Sequence, residues 1–431
     1  MIAVLGAIVI TACASKPPQL MPTPVIYQQP GGVALFTEPG AAGRSSTDVE
    51  LLYLTDRGEE TDPESSLPYG QTRAGFIGFG RARVRIGSGL PWAALAAESR
   101  LAERTRDLEL SLGRVAELGR FPDEPYDVER CADGNLYRGI ADRRQHDQAE
   151  RLLREEVQRQ LARSPSKEVV LYVHGFHETF ATAAFRIAEL CHFLGREPVC
   201  AFFTWPASST GNFLISYTNT TESARYAELH LRKVIRLLAT TPGVERLQLL
   251  AHSRGSALLM SALRDLLLEA IAAGREPATL FNIDNVLLFS PDIDVDLAAQ
   301  DITASLSDPS MISDWSDKRL PRGINGRLTI YSSPQDRALF FARILFRSES
   351  RLGNIRPEDI SAASQAYLAQ LGNLDVVIYE GRRTDAFGHS YFTTNPRVSS
   401  DVIQLLRFGK RPGEPGRDLI QLGPVVWRFP D

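Results

Sequence analysis

The chain has 431 residues, 43% apolar and 23% charged, enough for one large α/β domain with additions or for two domains. Its formal net charge of −4 carries no nucleic-acid footprint, and no internal run reaches the ~20 apolar residues that a membrane-spanning helix needs. The chain shows no repeat, and its four cysteines match no metal-ligand spacing.

The first ten residues, Met1 to Ile10, form an apolar run of signal-peptide length, too short to span a bilayer. They lead into Ile10-Thr11-Ala12-Cys13, which resembles a bacterial lipobox and implies that Cys13 is lipidated. Residues 1–13 then read as a lipoprotein-type signal segment, although no Lys or Arg precedes the apolar core. Ala14 and Ser15 after the cysteine suit a protein anchored in the cell envelope, at the periplasmic side of the outer membrane if the host is Gram-negative. Cleavage after Ala14, giving a secreted soluble protein, is the alternative. Residues 14–47, rich in Pro, Gly and small side chains, read as a flexible tether.

A β-rich region follows at 48–140. Its strand candidates are Val49–Thr55, Phe76–Ile86 and Val115–Leu118, with helical periodicity over 92–106. From 141 to 431 the pattern alternates. A charged amphipathic helix over 142–163 comes first, then apolar runs at Val169–Val173, Val199–Thr204, Leu247–Ala251, Val286–Phe289, Leu328–Tyr331 and Val376–Tyr379. Helix-length segments at 179–195, 222–240, 254–273 and 335–346 separate most of them. Such alternation predicts a mostly parallel, doubly wound sheet, whose ligand chemistry sits at the carboxyl ends of the strands. Cys191 and Cys200 flank a helix end and the next strand, where a bridge and two buried thiols are both open.

Reactive residue types fall at those strand ends. Val173-His174-Gly175-Phe176-His177 follows an early strand, and the Phe176 N–H is placed to serve an oxyanion. The loop from Ala207 to Tyr217 carries Phe213, Leu214, Ile215 and Tyr217, which could line an acyl pocket or pack as core. Leu247–Leu259 then reads as strand, tight turn and helix around Ser253, with the small residues Ala251 and Gly255 two positions to either side. That is the context a nucleophile elbow requires, and the N–H of Arg254 would face the oxyanion from the positive end of the helix. In this arrangement the order along the chain is Ser, acid, His. Of the seven histidines only His389 follows Ser253, just past the last strand run. Two loops can supply the acid. Asp336 follows the strand before the one that leads to His389, and is favoured; Asp292, one strand earlier, is the alternative. Asp336 also suits a helix N-cap. His177 and His252 read as supporting or merely buried histidines, and no metal cluster is apparent.

Tyr172-Val173-His174-Gly175-Phe176, Phe203-Thr204-Trp205-Pro206-Ala207, Ala251-His252-Ser253-Arg254-Gly255, Ser290-Pro291-Asp292-Ile293-Asp294, Asp336-Arg337-Ala338-Leu339 and Gly388-His389-Ser390-Tyr391-Phe392 occur in this order. This run of blocks resembles the bacterial family called alpha/beta hydrolase of unknown function. Leu52-Tyr53-Leu54-Thr55-Asp56-Arg57 resembles that family's opening strand, so the likeness spans about 48 to 400. It implies an alpha/beta-hydrolase fold with an N-terminal β extension, and puts Ser253, Asp336 and His389 in the nucleophile, acid and base positions. Arg254 departs from the family, where an apolar residue is commoner. A cation there would favour acidic substrates or form a surface ion pair. The expectation is a serine hydrolase acting on a small-molecule ester or thioester without a cofactor, touching the membrane through a lipid anchor and having no nucleic-acid partner. A non-catalytic envelope-binding domain of the same fold is the alternative.

Overall fold

The computed structural model describes residues 17–28, 32–36, 45–207, 213–307, 320–346 and 350–430. Cys13 and the expected signal segment, residues 1–13, lie outside them. The first strands are β1 (Asp48–Glu59), β2 (Tyr69–Ile86) and β3 (Leu110–Arg120), then a separate short pair, β4 (Val128–Arg130) and β5 (Leu136–Arg138). The body supplies β6 (Glu168–Val173), β7 (Val199–Thr204), β8 (Arg246–His252), β9 (Ile283–Phe289), β10 (Leu328–Ser332) and β11 (Leu374–Ile378). A terminal hairpin adds β12 (Ile420–Gln421) and β13 (Val426–Arg428).

Eleven of these form one sheet in the order β12-β13-β11-β10-β9-β8-β6-β7-β1-β2-β3. From β1 to β13 across its centre neighbours run parallel; only β1–β2, β2–β3 and β12–β13 are antiparallel. Helices cover both faces, so the central strands are apolar on both sides. Along β8, Leu247, Leu249 and Ala251 join one core cluster with the helices Ile140–Leu161, Phe213–Ala239 and Arg254–Ala272. Leu250 joins the other, with Phe180–Phe193 and Pro396–Phe408. Parallel pairing puts the carboxyl ends of β6, β8, β9, β10 and β11 along one edge.

Several expectations need correction. The stretch expected as a tether is docked at several of its described residues, while others such as Val33 stay exposed. Leu20, Met21, Tyr27 and Leu35 are buried, and Gln19 bridges Glu109. The Met21 N–H donates to Glu189 Oε1 at 2.6 Å, and Tyr27 OH donates to the Phe193 carbonyl at 2.7 Å. Apolar side chains scattered among Pro and Gly suffice to dock a segment that has little regular structure. The helix expected over 92–106 ends at Glu98, whose carboxylate turns to accept from Thr105 N–H at 2.9 Å. The loop expected up to Tyr217 is helical from Phe213; Phe213 and Tyr217 stand four apart, which is helical spacing. Helices Val295–Ser307, Ala362–Leu371 and Pro396–Phe408 were not anticipated. Cys191 and Cys200 are joined by a disulfide, and Cys131 is free and exposed.

Candidate functional site

At the end of β8 the chain reverses through Ser253, whose φ of 53° and ψ of −126° lie outside the regions an L-residue prefers. Ser253 shares positive φ with His177 and Ser290, in two other loops of the same edge. Strain of this kind persists only where surrounding structure enforces it. Here two close approaches do so. A Cβ on Gly255 would stand 2.2 Å from the His174 carbonyl oxygen, so the helix start packs directly on the loop after β6. A Cβ on Gly175 would stand 2.7 Å from Ser253 Cβ, so that loop lies against the serine itself. The Ser253 N–H donates to the Phe289 carbonyl at 2.9 Å and its carbonyl accepts from Asp292 N–H at 3.1 Å, fixing the turn to β9.

Asp336 and His389, 53 residues apart, meet at 2.6 Å between Oδ2 and Nδ1. Asp336 is buried. Its other oxygen accepts from the Leu339 N–H at 3.1 Å, so the N-cap reading and the His-partner reading hold together, one on each oxygen. Because Asp336 can only accept when ionised, Nδ1 of His389 carries the proton and Nε2 is the basic nitrogen. Burial works against a charged His389, yet the Asp336 carboxylate outweighs it and raises the imidazole pKa above its ordinary value. No hydrogen bond of Ser253 Oγ to another side chain is seen among the described residues.

The loop that carries His389 is held by five hydrogen bonds from side chains. Asp385 accepts from the N–H groups of Phe387 at 2.8 Å, His389 at 3.2 Å and Ser390 at 2.7 Å. These bonds draw its pKa down despite partial burial. The His389 carbonyl accepts from Ser290 Oγ and from His252 Nε2, each at 3.1 Å. His252 is buried and neutral, its pKa held well down chiefly by desolvation. It precedes the serine and touches the base loop, its ring 4.6 Å from that of His389.

Asp292 is engaged elsewhere. It pairs with Arg254 at 2.9 Å and Arg351 at 3.5 Å, and Tyr217 OH donates to it. Its carboxylate acts on His389 through space and not by a hydrogen bond. Arg254 is thereby neither of the things its cationic type suggested: it is buried, and it forms an interior ion pair. Its backbone stands at the start of the helix Arg254–Ala272. Phe176 lies beside this cluster, its ring 5.2 Å from that of Tyr217.

Arg57, in the opening strand block, carries no local mark of a site role, yet it is fully buried and reaches the loop after β6. Its guanidinium donates to Thr204 Oγ1 at 2.7 Å and to the Glu178 carbonyl at 2.7 Å, and stands 3.4 Å from His174 Nε2. His174 Nδ1–H donates to the Gly175 carbonyl at 2.9 Å, and Nε2 accepts from Trp205 N–H at 3.1 Å. Desolvation and then the Arg57 charge keep this imidazole neutral. His177, by contrast, is exposed. Among the described residues no group of three or more His, Cys, Asp or Glu is placed to hold a metal ion. A cavity of about 650 Å³ opens at the other end of the sheet, beside Asn285, Arg327 and Leu374.

No curated protein matches this chain. Solved structures do. A candidate cell-surface hydrolase from Lactobacillus plantarum WCFS1 is 13% identical, with 58% of this chain and 95% of that one covered and a TM-score of 0.31. A lipase-esterase related protein from Clostridium acetobutylicum ATCC 824 is 11% identical over 55% and 93%, with a TM-score of 0.26. Carboxylesterase CesB from Bacillus subtilis is 11% identical over 57% and 85%, with a TM-score of 0.24. Across residues 149–408, which include Ser253, Asp336 and His389, the chain matches the model of one family: it belongs to the alpha/beta hydrolases of unknown function.

Proposed function

We propose that the protein is a serine hydrolase that cleaves a carboxylic ester or thioester through an acyl-enzyme. Ser253 Oγ attacks the carbonyl carbon as His389 Nε2 takes its proton, and the Phe176 and Arg254 amides receive the developing oxyanion. Collapse breaks the carbon–oxygen or carbon–sulfur bond, and the alcohol or thiol leaves with the proton from His389. Water then attacks the acyl-serine, giving its proton to the same nitrogen; the acid departs and Ser253 regains its hydrogen. Asp336 fixes the imidazole tautomer and stabilises its cation.

The observation that carries this reading is the 2.6 Å Asp336–His389 contact at the edge where Ser253 turns on its strained elbow. A fluorophosphonate probe tests it. The wild-type chain should be labelled covalently and Ser253→Ala should not. A folded wild type that resists the probe would leave a binding domain of the same fold as the better description.

A further inference from the structure

Exposed phenylalanines are few and they are not scattered. Among the described residues four are exposed, and three of them, Phe340 at 45%, Phe341 at 52% and Phe387 at 54%, belong to two joined segments beside the candidate site. Phe387 is two residues before His389, and Phe340 and Phe341 lie in the first turns of the helix that follows Asp336. The two segments are tied by the Arg337 N–H, which donates to the Phe387 carbonyl at 2.9 Å. Isolated exposed apolar residues need no explanation, whereas a cluster at the rim of a site marks an interaction surface.

Arginines outnumber acids around this rim. Arg337, Arg382 and Arg383 are exposed, and the half-buried Arg343 stands over the Phe340 ring at 5.4 Å. Arg383 packs where a Cβ on Gly388 would come within 2.6 Å of it, so it borders the base loop. The acids close by are occupied: Asp385 turns inward onto backbone amides, and Glu380 stands 3.8 Å from Arg428. Aromatic side chains interleaved with arginines suit the boundary of a bilayer that carries anionic headgroups. We infer that this rim seats on an anionic lipid surface, with the base loop against the lipid. Resting on the hydrolase reading above, this makes the substrate class an ester carried in that surface, which reaches Ser253 without crossing water.

Hydrogen exchange of the full chain tests the rim directly. Vesicles of phosphatidylcholine with about a quarter phosphatidylglycerol should slow exchange at 337–343 and 385–389, and vesicles of phosphatidylcholine alone should do so much less. The double variant Phe340→Ser/Phe341→Ser should lose at least tenfold in apparent vesicle affinity at that rim while keeping its melting temperature and its fluorophosphonate labelling. Unchanged exchange with anionic vesicles overturns the inference, as does equal protection in the variant or by neutral vesicles. Protection that appears without vesicles and disappears on dilution also overturns it, in favour of a second copy of the chain. Exchange protection and vesicle affinity do not require a working Ser253, whereas labelling does, so a failure of the rim and a failure of the hydrolase reading are seen separately.

Discussion

Two oxygens of one carboxylate do separate work at Asp336. One holds the helix start through Leu339 N–H and the other holds His389. Asp336→Asn keeps an acceptor for the helix but removes the charge that raises the His389 pKa. The rate should fall by about 10⁴, the scale seen when a triad Asp is lost. The pH profile should move too. A protonated His389 cannot accept from Ser253, so the acid limb of kcat/KM should lie above the ordinary histidine value in the wild type and drop in the variant. Asp292→Asn, which leaves the Asp336–His389 bond in place, should do far less to the rate; the reverse ranking at equal stability would reassign the acid. How much of this was legible depended on range. Ser253 and His389 stand out as candidates because chain order and local small residues mark them. Strand position alone favours Asp336 over Asp292, but it does not show that Arg254, Arg351 and Tyr217 engage Asp292 from three distant segments. Likewise no local pattern announces that His252 and Ser290 both donate to the His389 carbonyl.

Among the elements, the amino-terminal segment differs most from its sequence pattern. Composition alone marks 17–36 as a spacer, because helix and strand periodicities are absent there. Yet docking needs only a few apolar side chains and a partner for the backbone. Leu20, Met21 and Leu35 are buried, each contributing ~1.5–3 kcal/mol. Arg104 donates to the carbonyls of Leu20 at 2.7 Å and Met21 at 2.5 Å. Glu189, which receives the Met21 N–H, is desolvated enough for its pKa to rise to about 7, even with Arg186 and Arg104 nearby. A carboxyl whose folded pKa is raised contributes stability below its unfolded pKa and loses it as pH climbs through the folded value. Stability should therefore decline between the ordinary glutamate range and about pH 7, and Glu189→Gln should flatten that part of a urea-denaturation series. An unchanged slope in the variant would assign the pH dependence to another group. The helix Pro396–Phe408 is the opposite case: Asn395 caps Arg397 and Val398 at 2.9 and 3.2 Å, and Asn-Pro is a start signal that local reading could have used.

At the scale of the whole molecule, the question is whether the β-rich beginning is an accessory or part of the machine. The family match begins at residue 149, but the sheet does not. β1 continues it by pairing in parallel with β7 from Leu52↔Ala201 to Thr55↔Thr204. Leu52, Leu54, Ile77 and Phe79 belong to the same core cluster as Val173 and Leu249. Alternating strands and helices made the parallel centre legible, whereas nothing local says which edge the early strands join. Removing 45–140 would leave β7 as an uncovered apolar edge, an arrangement prone to pair with other chains. It would also take away Arg57, whose guanidinium ties Thr204 and the Glu178 carbonyl to the loop that lies against Ser253. A fragment of residues 141–431 should therefore aggregate on expression. The point variant Arg57→Gln separates the two roles. It keeps the strand pairing, so it should remain folded by circular dichroism, while the loop bearing Gly175 and Phe176 loses its anchor. Fluorophosphonate labelling of Ser253 should then slow by tenfold or more, on the order of the ~10²–10³ lost when an oxyanion donor is removed, and Arg57→Lys should restore only part of it, since an ammonium cannot span both acceptors in one plane. A soluble, monomeric 141–431 fragment that labels as fast as the full chain would show the extension to be dispensable.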